Sequence, residues 1–172
     1  MNNIVLYEPE IPQNTGNIMR TCVATNTVLH LIEPLGFKLT EKAIKRSGVN
    51  YIKDVKIKIY ENYNEFFKKN HNKGEFYFLT RYGTKTIYDM KVAETEKNYY
   101  FIFGKESTGV PKEILKKHLD KCIRLPMTNL VRSLNLSNVA SIIIYEALRQ
   151  QGFPELSIYE PENFKGKNYL LK

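Results

Sequence analysis

The stretch Tyr99-Tyr100-Phe101-Ile102-Phe103-Gly104-Lys105-Glu106-Ser107-Thr108-Gly109-Val110-Pro111 opens as an unbroken apolar run. Such a run, apolar without alternation, is what a strand buried on both faces requires, and parallel sheets are built from strands of that kind. It stops in a glycine-bounded turn, and Pro111 stands where a following helix would begin. Working outward, comparable runs at Asn3–Tyr7, Val28–Ile32, Lys56–Tyr60, Glu75–Thr80 and Lys121–Leu125 are the other expected strands. Amphipathic stretches between them predict helices at Thr15–Asn26, Thr40–Ser47, Tyr63–Lys69, Pro111–Lys117 and Ser137–Gln151. The last is the clearest, because Val139, Ala140, Ile143, Ala147 and Leu148 share one face and Ser137 or Asn135 supplies a cap. Strands alternating with helices predict an α/β fold: a mainly parallel sheet with helices on both faces.

The chain has 172 residues, 42% apolar and 26% charged, with neither a repeat nor a Pro/Gly/Ser-rich linker. A chain of this size buries about 70% of the surface its unfolded form exposes, so one core suffices without a disulfide or metal staple. Lysine and arginine number 26 against 18 acidic residues, a net charge of +8. A basic domain attracts polyanions such as nucleic acid or anionic lipid, because neutralised phosphates release counterions; a solvated lysine-rich surface is the other reading. Positive charge is densest between Lys38 and Lys58, where Lys45, Arg46, Lys56 and Lys58 stand. These lysines either protect a sheet edge or face RNA. Apolar runs fall short of the ~20 residues that span a bilayer, and Met1–Glu10 lacks the basic start of a signal peptide, so no membrane partner is expected and the chain is placed in the cytoplasm. Cys22 and Cys122 read as buried thiols, and His30, His71 and His118 are scattered singly, so no metal site is expected.

Three polar segments break the rhythm at strand ends, where open α/β sheets bind ligands. In Pro12–Arg20, Asn14 or Thr15 can cap the helix, Gly16 allows close backbone approach and Arg20 carries a fixed charge; taken alone, this is also a capped helix with a surface arginine. In Gly104–Pro111, Val110 follows the second glycine where a phosphate-binding loop needs lysine, and no G-x-G-x-x-G occurs, so neither a P-loop nor a dinucleotide site is supported. The third runs from Leu125-Pro126-Met127 to Arg132-Ser133-Leu134-Asn135-Leu136-Ser137-Asn138, with more hydrogen-bonding groups than one cap requires. A serine–histidine–aspartate assembly finds no histidine near any of these segments in sequence.

Taken in order, N-x-G-N-x-x-R (Asn14, Gly16, Asn17, Arg20), F-G-K-E-S-x-G-V-P (Phe103–Pro111), and L-P-M with S-L-N-L-S-N-x-A (Leu125–Met127, Ser133–Ala140) resemble the three motifs of the SpoU-type RNA methyltransferases of the knotted SPOUT superfamily. Further likeness at Asn3–Ile18, Ile32–Phe37, Arg46–Tyr51 and Tyr145–Pro154 is to the short TrmL/YibK-like group. The likeness runs from residue 3 to about 155, so residues 1–155 are expected to form the methyltransferase domain and 156–172 a C-terminal tail. It implies a C-terminal trefoil knot, a homodimer with sites near the interface, and transfer of methyl from S-adenosylmethionine to the ribose 2′-hydroxyl of the wobble nucleotide, a cytidine or modified uridine, of leucine tRNAs, leaving S-adenosylhomocysteine. Carried over by motif, Leu79, Gly83, Gly104, Glu106, Ser107, Leu125, Met127, Ser133 and Leu134 would hold the donor. Arg20, Ser133 and Asn135 would serve the transfer, and Asn14, Arg20, Lys45 and Arg46 would meet the RNA. Because a guanidinium is not deprotonated in proteins, Arg20 is expected to anchor phosphate and orient the ribose hydroxyl rather than act as base. The loop Thr128–Arg132 is more apolar than in many relatives. Another tRNA position, ribosomal RNA, or a non-catalytic RNA-binding role are the alternatives.

Overall fold

The computed structural model describes residues 1–39 and 52–171 of the chain. A seven-stranded sheet in the order β3-β2-β1-β6-β4-β7-β5 is built from β1 (Asn2–Tyr7), β2 (Val28–Ile32), β3 (Ile57–Tyr60), β4 (Glu75–Leu79), β5 (Lys85–Thr86), β6 (Tyr99–Phe103) and β7 (Cys122–Arg124). Every pairing is parallel. The described helices are α1 (Pro12–Ala24), α2 (Tyr63–Asn70), α3 (Lys112–Leu115) and α4 (Leu136–Gln151). The parallel α/β reading holds, and β5 is the strand it lacks: two polar residues carry no apolar run. The helix expected at Thr40–Ser47, the Arg46–Tyr51 likeness, and Lys45 and Arg46 lie outside the described residues.

Side chains that alternate along each strand divide the core in two. Ile4, Leu6, Leu29, Leu31, Tyr77, Phe101 and Phe103 pack with Ile18, Met19 and Cys22 of α1 and Ala140, Ile143 and Ala147 of α4. Their neighbours Val5, Ile32, Phe76, Phe78, Tyr100 and Ile102 pack with Phe66 of α2 and with Val110. The free thiols of Cys22 and Cys122 are buried in opposite layers. At the outer strand β3, Lys58 and Ile59 are exposed, as is Lys56 just before the strand, and the Lys56 ammonium donates to Asn26 Oδ1 at 2.8 Å, a lysine-protected edge.

Local structure departs from the sequence reading at two helices, each for a tertiary reason, while the expected cap of α4 is present. Helix α1 begins at Pro12 with Ile11 as its cap residue, so Asn14 and Thr15 are buried inside the helix rather than capping it; a carboxylate from elsewhere in the chain does the capping, as described below. The helix expected at Pro111–Lys117 shortens to α3 and continues as a tighter turn over Lys116–Lys121, bent at His118 (φ −138°, ψ 35°), so Lys121 belongs to that turn and β7 begins at Cys122. The His118 ring stacks on Phe78 with centroids 4.8 Å apart, which holds the bend against the sheet. At α4, Asn135 is the cap: its Oδ1 accepts from the Ser137 amide at 2.9 Å.

The short strand β5 reveals an unusual crossing. Leu79 of β4 and Lys85 of β5 both pair with Ile123, on opposite sides of β7. The segment between them therefore arches over β7, tied down where the Thr80 amide donates to Ile123 O at 3.0 Å. Gly83 is required in this arch, since a Cβ there would meet Ile123 C at 2.7 Å and Cys122 O at 2.9 Å.

Under the α2 layer lies a buried polar chain. Tyr100 Oη donates to Asn70 Oδ1 (3.4 Å), Asn70 Nδ2 donates to Tyr60 Oη (3.3 Å), and Tyr60 Oη and His30 Nδ1 are 2.9 Å apart. His30 Nε2 lies 3.0 Å from Asn3 Oδ1, so a neutral ring with its proton on Nε2 completes a one-way chain of donors. Burial, then the nearby Lys58 charge, pushes His30 down to about 3. The unfolded ring binds its proton near pH 6.5, so the stability carried by neutral His30 is intact above that pH. It falls by about 1.4 kcal/mol per pH unit on acidification below it, until the folded pKa is reached. His118, also lowered mainly by burial, acts in the same direction. Urea unfolding at pH 7.5, 6 and 5 should show this slope in the parent chain and a shallower one in His30→Gln; equal slopes would exclude His30 as its source.

Candidate active site

At the carboxyl ends of β4, β6 and β7 the chain encloses a cleft of about 630 Å³. Its walls are the end of β4 and the arch after it (Leu79–Tyr82), the turn after β6 (Gly104–Val110), the end of β7 and the segment leaving it (Arg124, Leu125, Met127) and the approach to α4 (Arg132–Leu136), with Ile11, the cap residue of α1, and Asn14 of α1 closing one side. Of the residues singled out by motif, Asn14, Leu79, Gly104, Glu106, Ser107, Leu125, Met127, Ser133, Leu134 and Asn135 all line this cleft. Gly83 lies off it, in the back of the arch, where its part is the close crossing over β7. Arg20 lies off it as well, exposed on α1. Sequence reasoning missed Arg81, Tyr82 and Arg124. Only the pairing of β5 with β7 brings the arch residues over the strand that carries Arg124, and no local pattern marks that pairing.

The three motif segments are joined by side chains. The Glu106 carboxylate accepts from the Glu10 amide (2.9 Å), the Ile11 amide (3.3 Å) and Asn14 Nδ2 (2.9 Å), so it caps α1 from a distant turn. Glu10 returns the arrangement by accepting from the Ser107 amide and hydroxyl, each at 2.8 Å. Asn135 Nδ2 then donates to Asn14 Oδ1 at 2.9 Å, while Asn135 Oδ1 takes the Ser137 amide and hydroxyl. Asn14 is thus spoken for on both ends, by Glu106 and by Asn135. A carboxylate at a helix start also suits the helix dipole.

Within the β6 turn, Gly104 is irreplaceable on steric grounds, since a Cβ would overlap Gly109 C and Val110 N. Gly109 has φ 76°, a conformation that costs any L side chain, although the space beside it is open. The turn closes where the Gly109 amide donates to Lys105 O at 2.8 Å. Lys105 pairs with Glu8 at 2.7 Å. Burial alone would raise the Glu8 carboxyl, but hydrogen bonds from Lys105 and Tyr7 and the Lys105 charge bring it below the usual range. The Ser133 hydroxyl is exposed in the cleft and makes no hydrogen bond to the described residues.

Positive charge dominates the walls. Arg81, Arg124, Lys105 and Arg132 line the cleft, and Glu106 is the single carboxylate among its described residues. Outside the cleft, α1 exposes Gln13, Asn17, Arg20 and Ala24 as one stripe, and α4 exposes Asn138, Ile142, Tyr145 and Arg149 as another. The helices touch where Thr21 Oγ1 and Ser141 Oγ lie 3.0 Å apart, so the two stripes form one surface, with Ile142 38% and Tyr145 50% exposed.

The model of the SpoU rRNA Methylase family matches residues 1–145. The chain belongs to the SpoU methylase family. This SpoU chain is 52% identical over 160 residues to a relative from Listeria innocua, covering 93% of the chain and 94% of the relative. It is 41% identical over 155 residues to the tRNA (cytidine(34)-2′-O)-methyltransferase of Escherichia coli K12, covering 90% and 96%. A solved structure described under the 2-OH methylation of C/U34 on tRNA superposes with a TM-score of 0.81 at 36% identity, covering 88% of this chain and 97% of that one. Among the described residues no group of three or more His, Cys, Asp or Glu converges as a metal site, and no helix is long and apolar enough to cross a membrane.

Proposed function

We infer that this SpoU chain is a tRNA 2′-O-methyltransferase acting on the ribose of the wobble nucleotide, cytidine or modified uridine, of leucine tRNAs. The observation that carries the reading is the hydrogen-bonded link Glu106–Asn14–Asn135, which holds all three motif segments around one cleft. The likeness to relatives that act at nucleotide 34 supports the substrate. A cleft of this volume suits a nucleoside-sized ligand, and the Gly104–Gly109 turn lets backbone approach it closely. These features fit S-adenosylmethionine as donor, as in the family. Leu79, Gly104, Leu125 and Met127 would hold it, with Leu134 beside them.

When bound, S-adenosylmethionine supplies an already activated methyl group, for which the main requirement is a correctly placed ribose oxygen. The exposed Ser133 hydroxyl, donor and acceptor at once, orients that oxygen. Asn135 and Glu106 do their work through Asn14, keeping α1 in register with the cleft. Arg20 anchors backbone phosphate. Since it lies away from its own cleft, the α1–α4 surface around Ile142 and Tyr145 supports a homodimer with two-fold symmetry, in which Arg20 serves the partner's site. The arch over β7 supports the trefoil knot expected of the superfamily. Residues 156–172 form a tail outside the catalytic unit, and the enzyme works in the cytoplasm beside its tRNA.

Incubation with labelled S-adenosylmethionine and tRNA lacking these modifications, followed by nuclease digestion and mass spectrometry, tests the reading. Label on the ribose oxygen of nucleotide 34 of leucine tRNAs is expected. Label at another position or on ribosomal RNA would reassign the substrate, and RNA binding without donor binding would make the chain a non-catalytic member of the fold.

A further inference from the structure

We propose that Arg124 is a donor-binding residue whose guanidinium receives the α-carboxylate of the methionine moiety. Arg124 is the last residue of β7 and pairs in register with Thr86 of β5. On its other side β4 has already ended at Leu79, so the arch residues Thr80–Tyr82 face it in place of a strand. The side chain lines the cleft, yet its Nε is buried and makes no hydrogen bond to the described residues. A buried N–H on a charged group is costly to leave unpaired, which marks it as waiting for an acceptor that arrives with a ligand.

The neighbouring charges say which ligand. Glu106, the one carboxylate among the described lining residues, is spent on the Glu10 and Ile11 amides and Asn14. Lys105 is held by Glu8, and the Arg81 guanidinium lies over the Tyr82 ring, 4.7 Å from its centroid. Arg132 is exposed, open to a bulky polyanion. The buried Arg124 Nε instead suits a small oxyanion admitted into the cleft, and a planar guanidinium matches a carboxylate through parallel hydrogen bonds. The inference rests on the donor reading and adds the group that recognises the donor's amino-acid end.

Binding of S-adenosylhomocysteine and of 5′-methylthioadenosine, which lacks the amino-acid carboxylate, should be compared by calorimetry in the parent chain, Arg124→Met and Arg124→Lys. The expected result is a loss of about 10- to 100-fold for S-adenosylhomocysteine in Arg124→Met, the range of a charge-assisted hydrogen bond, with methylthioadenosine unchanged and Arg124→Lys intermediate. Equal losses for both ligands in Arg124→Met, with no preference for S-adenosylhomocysteine regained in Arg124→Lys, would overturn the proposal. So would unchanged affinity for both, or a fall confined to tRNA binding, which would move Arg124 to the RNA. Failure of the parent chain to bind either ligand would instead overturn the donor reading itself.

Discussion

Gly104→Ala is expected to weaken S-adenosylhomocysteine binding by about 100-fold and to take methyl transfer down with it. The added Cβ would overlap backbone atoms of Gly109 and Val110, which have no flexible side-chain end to swing aside. The β6 turn must shift to admit it, at a cost of about 3 kcal/mol, the upper part of the range for overpacking a tight site; a factor of ten corresponds to about 1.4 kcal/mol. Gly109→Ala makes the contrast. Its φ of 76° penalises a side chain, but nothing stands near the new methyl group, so the penalty is the conformational one of about 1–2 kcal/mol. Calorimetry with S-adenosylhomocysteine, with thermal unfolding as a check on the fold, separates the two. A Gly104→Ala chain that binds as well as the parent would show that the turn does not cradle the donor.

Arg20→Ala should reduce methyl transfer by about 100-fold or more, the scale of a lost positioning contact, while donor affinity stays at the parent value because Arg20 does not line its own cleft. Differently tagged Arg20→Ala and Gly104→Ala chains, each inactive alone, can then be co-expressed and the mixed dimers isolated. If each cleft is served by the partner's arginine, a two-fold dimer of this kind carries both defects in one site and neither in the other, so about half of the parent activity should return. No recovery would place Arg20 in its own site, or show that the α1–α4 surface is not where two copies meet. Full donor affinity with unaltered transfer in Arg20→Ala would remove the residue from the mechanism.

Much of the fold was legible because its signals are short-range. Apolar runs such as Tyr99–Phe103 mark strands buried on both faces whatever the rest of the chain does, and every expected strand is present. Helix α4 was plain from its apolar spacing and from Asn135 ahead of it. What misled were positions governed by distant groups. Asn14 looks like a helix cap, but the Glu106 carboxylate takes that role and turns Asn14 into a bridge to Asn135. Pro111–Lys117 looks like a longer helix, but the chain must bend at His118 to bring Cys122 into the sheet.

The site shows the same division. Motif likeness marked the residues that converge on the cleft from the β6 turn and the approach to α4, but it grouped Gly83 and Arg20 with them, and neither lines that cleft. It passed over Arg124, because an arginine at the end of a short strand carries no local mark. Sequence alone settled the parallel α/β class, the ordered motifs and the basic character of the chain, since composition, period and spacing are properties of neighbouring residues. Tertiary structure alone decided that a two-residue strand locks an arch across β7, that Glu106 organises α1 instead of facing the cleft as a free charge, and that Arg124 holds a buried donor with no partner among the described residues. Those features depend on groups that are remote along the chain and become neighbours only when the sheet forms.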